Sequence, residues 1–171
     1  MKRLLLLGLG LSLGLLLSAA PSRAQGSVDA SVGYSYFHLG SGGGLSQNGI
    51  SGSIAYNPIP FMGVVGDFGG YHASPSGVSV NTYTYLFGPR INLKNPTHVT
   101  PFAQFLVGAA HQTVGDGGGS STNFAYSVGG GVDFPVLPHL AVRPQVDYIG
   151  IKVPNGTTSC TRVSVSAVVH F

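Results

Sequence analysis

Beyond residue 27 the chain alternates bulky apolar and small or polar residues with a period of two, the signature of extended strands with two unlike faces. Over 28–37, Val28, Ala30, Val32, Tyr34 and Tyr36 oppose Asp29, Ser31, Gly33 and Ser35. Over 49–57, Ile50, Ile54 and Tyr56 oppose Ser51, Ser53 and Asn57. Over 80–92, Tyr83, Tyr85, Phe87 and Ile91 oppose Thr82, Thr84 and Arg90. Over 122–134, Phe124, Tyr126, Val128, Val132 and Phe134 oppose Ser127 and Asp133, and over 140–152 Leu140, Val142, Val146 and Tyr148 oppose Arg143, Gln145 and Asp147. In 61–72, Asp67 shares a face with Gly63 and Gly69, whereas 99–112 is apolar on both faces and is left unassigned. The eighth segment, 161–171, ends in "VSVSAVVHF", and no stretch after residue 27 sustains a helical period. The pattern predicts an all-β, eight-stranded antiparallel up-and-down barrel in a single domain.

The connections are of two kinds. After the second, fourth and sixth segments come "NPIP", "KNPTH" and "PVLPH"; after the first, third, fifth and seventh come "HLGSGGGLSQN", "ASPSGVS", "TVGDGGGSS" and "PNGTTSC". Short turns at one end and longer polar loops at the other are the arrangement of a barrel that spans a membrane, with both chain ends on the turn side. The broader face is bulky and apolar while the narrower one holds Gly, Ser and isolated charges, so the apolar face is expected against lipid and the polar face inside. A soluble ligand-carrying barrel would show the reverse. Tyr34, Tyr36, Tyr71, Tyr83, Phe124, Tyr126 and Tyr148 fall towards the loop end, and Tyr56, Phe61, Phe102, Phe134 and Phe171 towards the turn end. Two such groups predict aromatic girdles at the two membrane interfaces.

Composition sharpens this picture. Lys2 and Arg3 precede an apolar run from Leu4 to Leu17 and the small-residue stretch "SAAPSRAQG", which predicts a signal peptide over residues 1–24, export from the cytoplasm and a barrel domain over 25–171. Without that leader, five basic residues (Arg90, Lys94, Arg143, Lys152, Arg162) balance five Asp and no Glu, so no nucleic-acid partner is indicated. The lone Cys160 allows no internal disulfide and is read as an exposed, unreactive thiol.

The chain resembles the small outer-membrane β-barrels represented by outer-membrane proteins A and X of Gram-negative bacteria. The resemblance rests on the leader, the eight segments, the turn and loop alternation, "VVGDFGGYH", "YLFGPRINL", "TPFAQFLVGAAH" and the terminal "VSVSAVVHF". It implies residence in the outer membrane among its lipids and lipopolysaccharide. It also implies that periplasmic chaperones and the barrel assembly machinery are partners, with Phe171 as the assembly signal. Pro89, Pro101 and Pro144 fit the strands poorly, since each removes a ladder donor, and predict bulges or rim positions.

Candidate chemistry is sparse. An eight-stranded barrel is only wide enough for side chains to fill. Asp67, Arg90, Gln104, Asp133, Arg143, Gln145 and Asp147 are expected to form a polar plug in the lumen, with Asp133 and Arg143 placed to bridge diagonally across one turn. The same groups lining a narrow pore would be the alternative. "YHAS" places His72 and Ser74 near one loop, where a lipid-modifying (lipid A deacylase-like) enzyme of this membrane would carry its base and nucleophile, but no acidic residue lies nearby in sequence to orient the imidazole. The other histidines show no metal-ligand spacing, and "GSGGG" and "GDGGGS" lack the Lys and following helix of a phosphate loop, so no metal or cofactor is expected. The function expected is structural or surface-interactive and non-enzymatic: membrane integrity and loop-mediated contacts.

Overall fold

A computed structural model describes residues 26–40, 44–93, 99–115, 119–154 and 156–171; the expected signal peptide lies outside them, as do Lys94, His98 and Asp116. The strands are β1 (Ser27–Leu39), β2 (Ser46–Ile59), β3 (Met62–Ala73), β4 (Val80–Asn92), β5 (Thr100–Val114), β6 (Ser120–Leu137), β7 (Leu140–Val153) and β8 (Gly156–His170), with one 3-10 turn at Pro75–Gly77. Each pairs antiparallel with its sequence neighbours, and β1 pairs with β8 to close the barrel. That seam runs from Asp29 opposite His170 to Leu39 opposite Cys160. At its Asp29 end it is tied by the Phe171 amide, which donates to the Val28 carbonyl at 2.9 Å. Closure leaves no strand edge, the condition for placing sheet backbone in hydrocarbon.

The faces sort as the alternation predicts. Tyr85, Val128 and Val146 are each about half exposed on the exterior, whereas Asp67, Asp147 and Arg143 are buried within. An outer surface built of Ile, Val, Phe and Tyr excludes the soluble-carrier reading, because such a surface is stable only against lipid. The β5 strand resolves with Phe102, Gln104, Leu106 and Ala110 inward and Ala103 and Phe105 outward. Its sequence is apolar on both faces because Leu106 and Ala110 belong to an inner apolar cluster with Phe37, Val65, Leu86, Ile149 and Cys160.

Several expectations need correction. Tyr71 and Phe102 are not girdle residues: they are 2 % and 5 % exposed and point inward, in phase with Asp67 and Gln104. Tyr71 stacks on Phe37 with ring centroids 4.5 Å apart. The remaining girdle residues lie on the exterior or its rim. Cys160 is also inside, 1 % exposed, and packs in the apolar cluster. The reason is that β8 begins at Gly156 rather than at 161, so most of "PNGTTSC" is strand. The β2 and β6 strands likewise start earlier than expected, and they absorb much of "NPIP" and "PVLPH". Ladder bonds to a neighbouring strand carry these polar stretches beyond their apolar alternation. Register shifts fall at Tyr56 to Ile59 and at Pro135 to Leu137. Pro89 and Pro144 instead sit within β4 and β7, on the outer face, and Pro101 is at the rim of β5.

Candidate functional site: a filled lumen and a polar rim

Inward residues of neighbouring strands meet in a space about one side chain across. The tightness shows at Gly69 and Gly129, where a Cβ would collide with the Tyr71 hydroxyl and the Asp147 carboxylate. All seven residues expected in the lumen lie there, and their bonds can be followed.

Arg162 on β8 is the hub. Its Nη1 donates to Asp67 Oδ1 on β3 at 2.7 Å and to the Tyr71 hydroxyl at 3.1 Å. Its Nη2 donates to Asp67 Oδ2 at 3.1 Å and Asp147 Oδ2 at 2.8 Å, and its Nε to the same Asp147 oxygen at 2.9 Å. One guanidinium therefore joins strands on opposite sides of the barrel. Asp147 is held further by Gln145 Nε2 at 2.8 Å and Gln104 Nε2 at 3.2 Å, and the Gln104 carbonyl accepts from Arg90 at 2.9 and 3.2 Å. Nearer the turns, Arg143 makes a two-pronged pair with Asp133, one prong at 2.7 Å, that bridges diagonally from β7 to β6. Arg90 and Arg143 both lie on the Phe102 ring, 4.3 and 4.7 Å from its centroid. At the turn end, Asp29 accepts from Asn57 at 2.8 Å and lies 2.8 Å from His170 Nδ1, while Asn92 donates to Asn57 at 3.0 Å.

Among the described residues, three of the four buried carboxylates pair with Arg143 or Arg162 and the fourth, Asp29, with the His170 ring, while Arg90 meets only the neutral Gln104 and the Phe102 ring. Engaging every one of these carboxylates is what a low-dielectric space demands, since an unpaired charge there is costly. Arg162, Asp29, Asn57, Asn92 and Tyr71 were absent from the sequence-derived set. Their inward phase in the alternation was the available signal, and for Arg162 "TRVSVS" carried it directly. Towards the loops the polar layer gives way to most of the apolar cluster, whose Val65 and Ala55 reach to the turn side of Asp67, and near the loop end lies a cavity of about 150 Å³ lined by Leu39, Thr82, Ala110, Gln112, Ile151 and Thr158 among others.

The outer rim carries the second constellation. His72 on β3 lies opposite Asn81 on β4, and its Nδ1 is 2.7 Å from Asn81 Oδ1. Ser74 Oγ lies 3.1 Å from His72 Nε2. A hydroxyl, an imidazole and an orienting amide are therefore in line, and Asn81 supplies the third group that "YHAS" lacked. The arrangement could activate a serine, yet it recurs without one. His111 Nδ1 is 2.7 Å from Thr122 Oγ1 on the next strand, and its Nε2 is 3.3 Å from Thr113 Oγ1. His38 Nδ1 similarly lies 3.0 Å from Ser46 Oγ on β2. An outward His bonded to a polar residue across the ladder is thus a repeated feature of this rim. No cluster of three metal-ligating side chains occurs among the described residues.

Comparison with known proteins agrees with this geometry. The family model for the outer membrane protein β-barrel domain matches residues 7–171. No curated protein matches the chain. Among solved structures, Neisserial surface protein A superposes with a TM-score of 0.69 at 19 % identity, covering 85 % of this chain and 97 % of that one. Ail, the attachment invasion locus protein of Yersinia pestis, gives 0.63 at 16 % identity, covering 86 % and 99 %. The N-terminal β-barrel domain of Pseudomonas aeruginosa OprF gives 0.60 at 16 %, covering 86 % and 98 %.

Proposed function

We propose, from the premise that the chain belongs to the outer membrane protein β-barrel family and resides in the outer membrane, that it is a non-conducting structural barrel. It would contribute to membrane integrity and offer its outer loops as a contact surface. One observation carries the closed state: the Arg162 guanidinium spans the lumen between Asp67 and Asp147, with most of the apolar cluster stacked above it. Water-filled conduction needs a wider barrel. Planar-bilayer recording tests this directly: the bare membrane conductance is expected, and large steady openings would overturn it.

The narrower points belong to the same reading. Residues 1–24 act as the cleaved signal peptide, and the purified protein is expected to begin near Gln25. Phe171, paired to β1 at the closing seam, is the residue that the barrel assembly machinery reads after periplasmic chaperones deliver the chain. The His72–Ser74 pair is not catalytic, because its bonding pattern recurs at His111 with threonines only. Mass spectra of lipid A from cells with and without the protein are expected to show the same acyl pattern; a lost acyl chain would restore the enzyme reading. Ail of Yersinia pestis has also been solved in complex with the heparin analogue sucrose octasulfate. Here the sequence between the strands at the loop end contains no Lys or Arg, which favours a structural role over polyanion capture by loops.

A further inference from the structure

The four strands that ascend towards the loops, β1, β3, β5 and β7, each carry one outward basic residue near their upper end. These are His38, His72 and Lys152, one position before the last residue of their strands, and His111, three positions before it. Their inward neighbours Phe37, Tyr71, Ala110 and Ile151 are buried, which fixes the outward phase. What faces them is uncharged or phenolic. His38 lies between Ser46 on β2 and Thr161 on β8, with Tyr36 below it. His72 lies between Asn48 and Asn81. His111 lies between Tyr83 and Thr122, and Lys152 opposite Thr157. Every described Asp points into the lumen, as do the three described Arg, so no carboxylate among the described residues faces the collar; Asp116, in the loop after β5, lies outside them.

Depth identifies the partner. Directly below or beside the collar lie the outward rings of Tyr34, Tyr36, Tyr83 and Tyr148. Tyrosines of this kind sit at the membrane–water interface, so the next layer outward is that of lipid headgroup phosphates. Resting on the outer-membrane orientation given above, we propose that His38, His72, His111 and Lys152 form a basic collar for the phosphate groups of outer-leaflet lipids. Because three of the four cations are imidazoles, the collar grips more strongly in mild acid. As a class, imidazoles change charge between about pH 5 and 8, whereas lysine stays charged there. The partners suit both forms of the ring: at His38 and His111 a cross-strand hydroxyl can accept from a protonated nitrogen or donate to a neutral one, and at His72 the Asn81 oxygen accepts at Nδ1 while the Ser74 hydroxyl can do either at Nε2.

The test uses the mature barrel refolded in detergent, with heat-modifiable gel mobility as the check on folding. Bisphosphorylated lipid A and its dephosphorylated counterpart are titrated at about pH 5.5 and about pH 8, chosen to bracket imidazole titration, and bound lipid is counted by native mass spectrometry. A cation near an anionic lipid surface contributes about fivefold in affinity. Bisphosphorylated lipid is therefore expected to bind at least about tenfold more tightly at the lower pH. H38Q/H72Q/H111Q should abolish that pH dependence, and K152Q should weaken binding equally at both pH values. The single His substitutions serve the same end if the triple variant does not fold. Equal binding of dephosphorylated lipid, or a pH dependence that survives the His substitutions, would overturn the collar. A wild-type protein without heat-modifiable mobility would overturn the barrel assignment instead.

Discussion

Removing the hub of the lumen should be the most damaging single change within the barrel. Arg162→Met keeps a long side chain in place but deletes every bond from the guanidinium to Asp67, Asp147 and Tyr71. Both carboxylates are buried. Asp147 retains Gln104 and Gln145 as donors, so its charge remains partly satisfied, whereas Asp67 loses the cation that holds both of its oxygens. Deleting one partner of a buried pair costs about 3–5 kcal/mol, mostly the penalty of stranding the other charge. With a urea slope of about 2 kcal/mol per molar, that loss lowers the unfolding midpoint by about 2 M. The assay is urea titration of the barrel in lipid vesicles, with the heat-modifiable band as the measure of folded protein. The cause can be separated from mere loss of volume. Adding Asp67→Asn to Arg162→Met removes the stranded charge, and this double variant should recover at least about 1 kcal/mol over the single one. Arg162→Lys should fall between wild type and Met, because an ammonium cannot make two-pronged contacts with two carboxylates. If Arg162→Met shifts the midpoint by less than about 0.5 M, or Asp67→Asn brings no recovery, the lumen is not held by this pair and the reasoning fails.

Three further outcomes follow from the same structure. Gly69→Val puts a side chain against the Tyr71 hydroxyl and Thr84, and overpacking of this kind should cost about 1–3 kcal/mol in the same urea assay. Cys160 should resist maleimide in the folded barrel and react fully once urea unfolds it; rapid labelling of the folded protein would contradict its place in the apolar cluster. Phe171→Ser should reduce the amount reaching the outer membrane in cells while changing the stability of refolded protein by less than about 1 kcal/mol, since Phe171 contributes mainly backbone bonds to the seam. Equal losses in both measurements would make it a packing residue rather than an assembly signal.

The fold is legible because lipid imposes a single rule on every strand, with apolar residues outward and the rest inward. Eight segments of period two, read with that rule, give the closed barrel and its orientation directly. The rule weakens wherever the inside is also apolar. The β5 strand, Tyr71, Phe102 and Cys160 escape it for this reason, because nothing in "TPFAQFLVGAAH" shows that half the lumen is filled by hydrocarbon and half by ions. Strand ends escape it for a different reason. Residues 156–160 are small and polar, and only pairing with β7, from Val153 opposite Gly156 to Ile149 opposite Cys160, makes them strand.

Membership of the lumen is readable from phase, but its pairing is not. Asp133 and Arg143 can be matched because one turn separates them; Arg162 and Asp67 lie 95 positions apart and meet only across the closed barrel. The rim shows the same limit more sharply. His72 and Ser74 are close in sequence, so they stand out as a catalytic pair, while Asn81, His38, His111 and Lys152 are scattered and do not. Barrel geometry reverses that weighting. Ascending strands recur at every second position around the wall, so one basic residue near the top of each becomes a ring. A pair that looks singular in sequence then turns out to be one quarter of a repeated feature. In a protein whose described carboxylates are all engaged inside, such a ring is the place where charge can meet an outside partner.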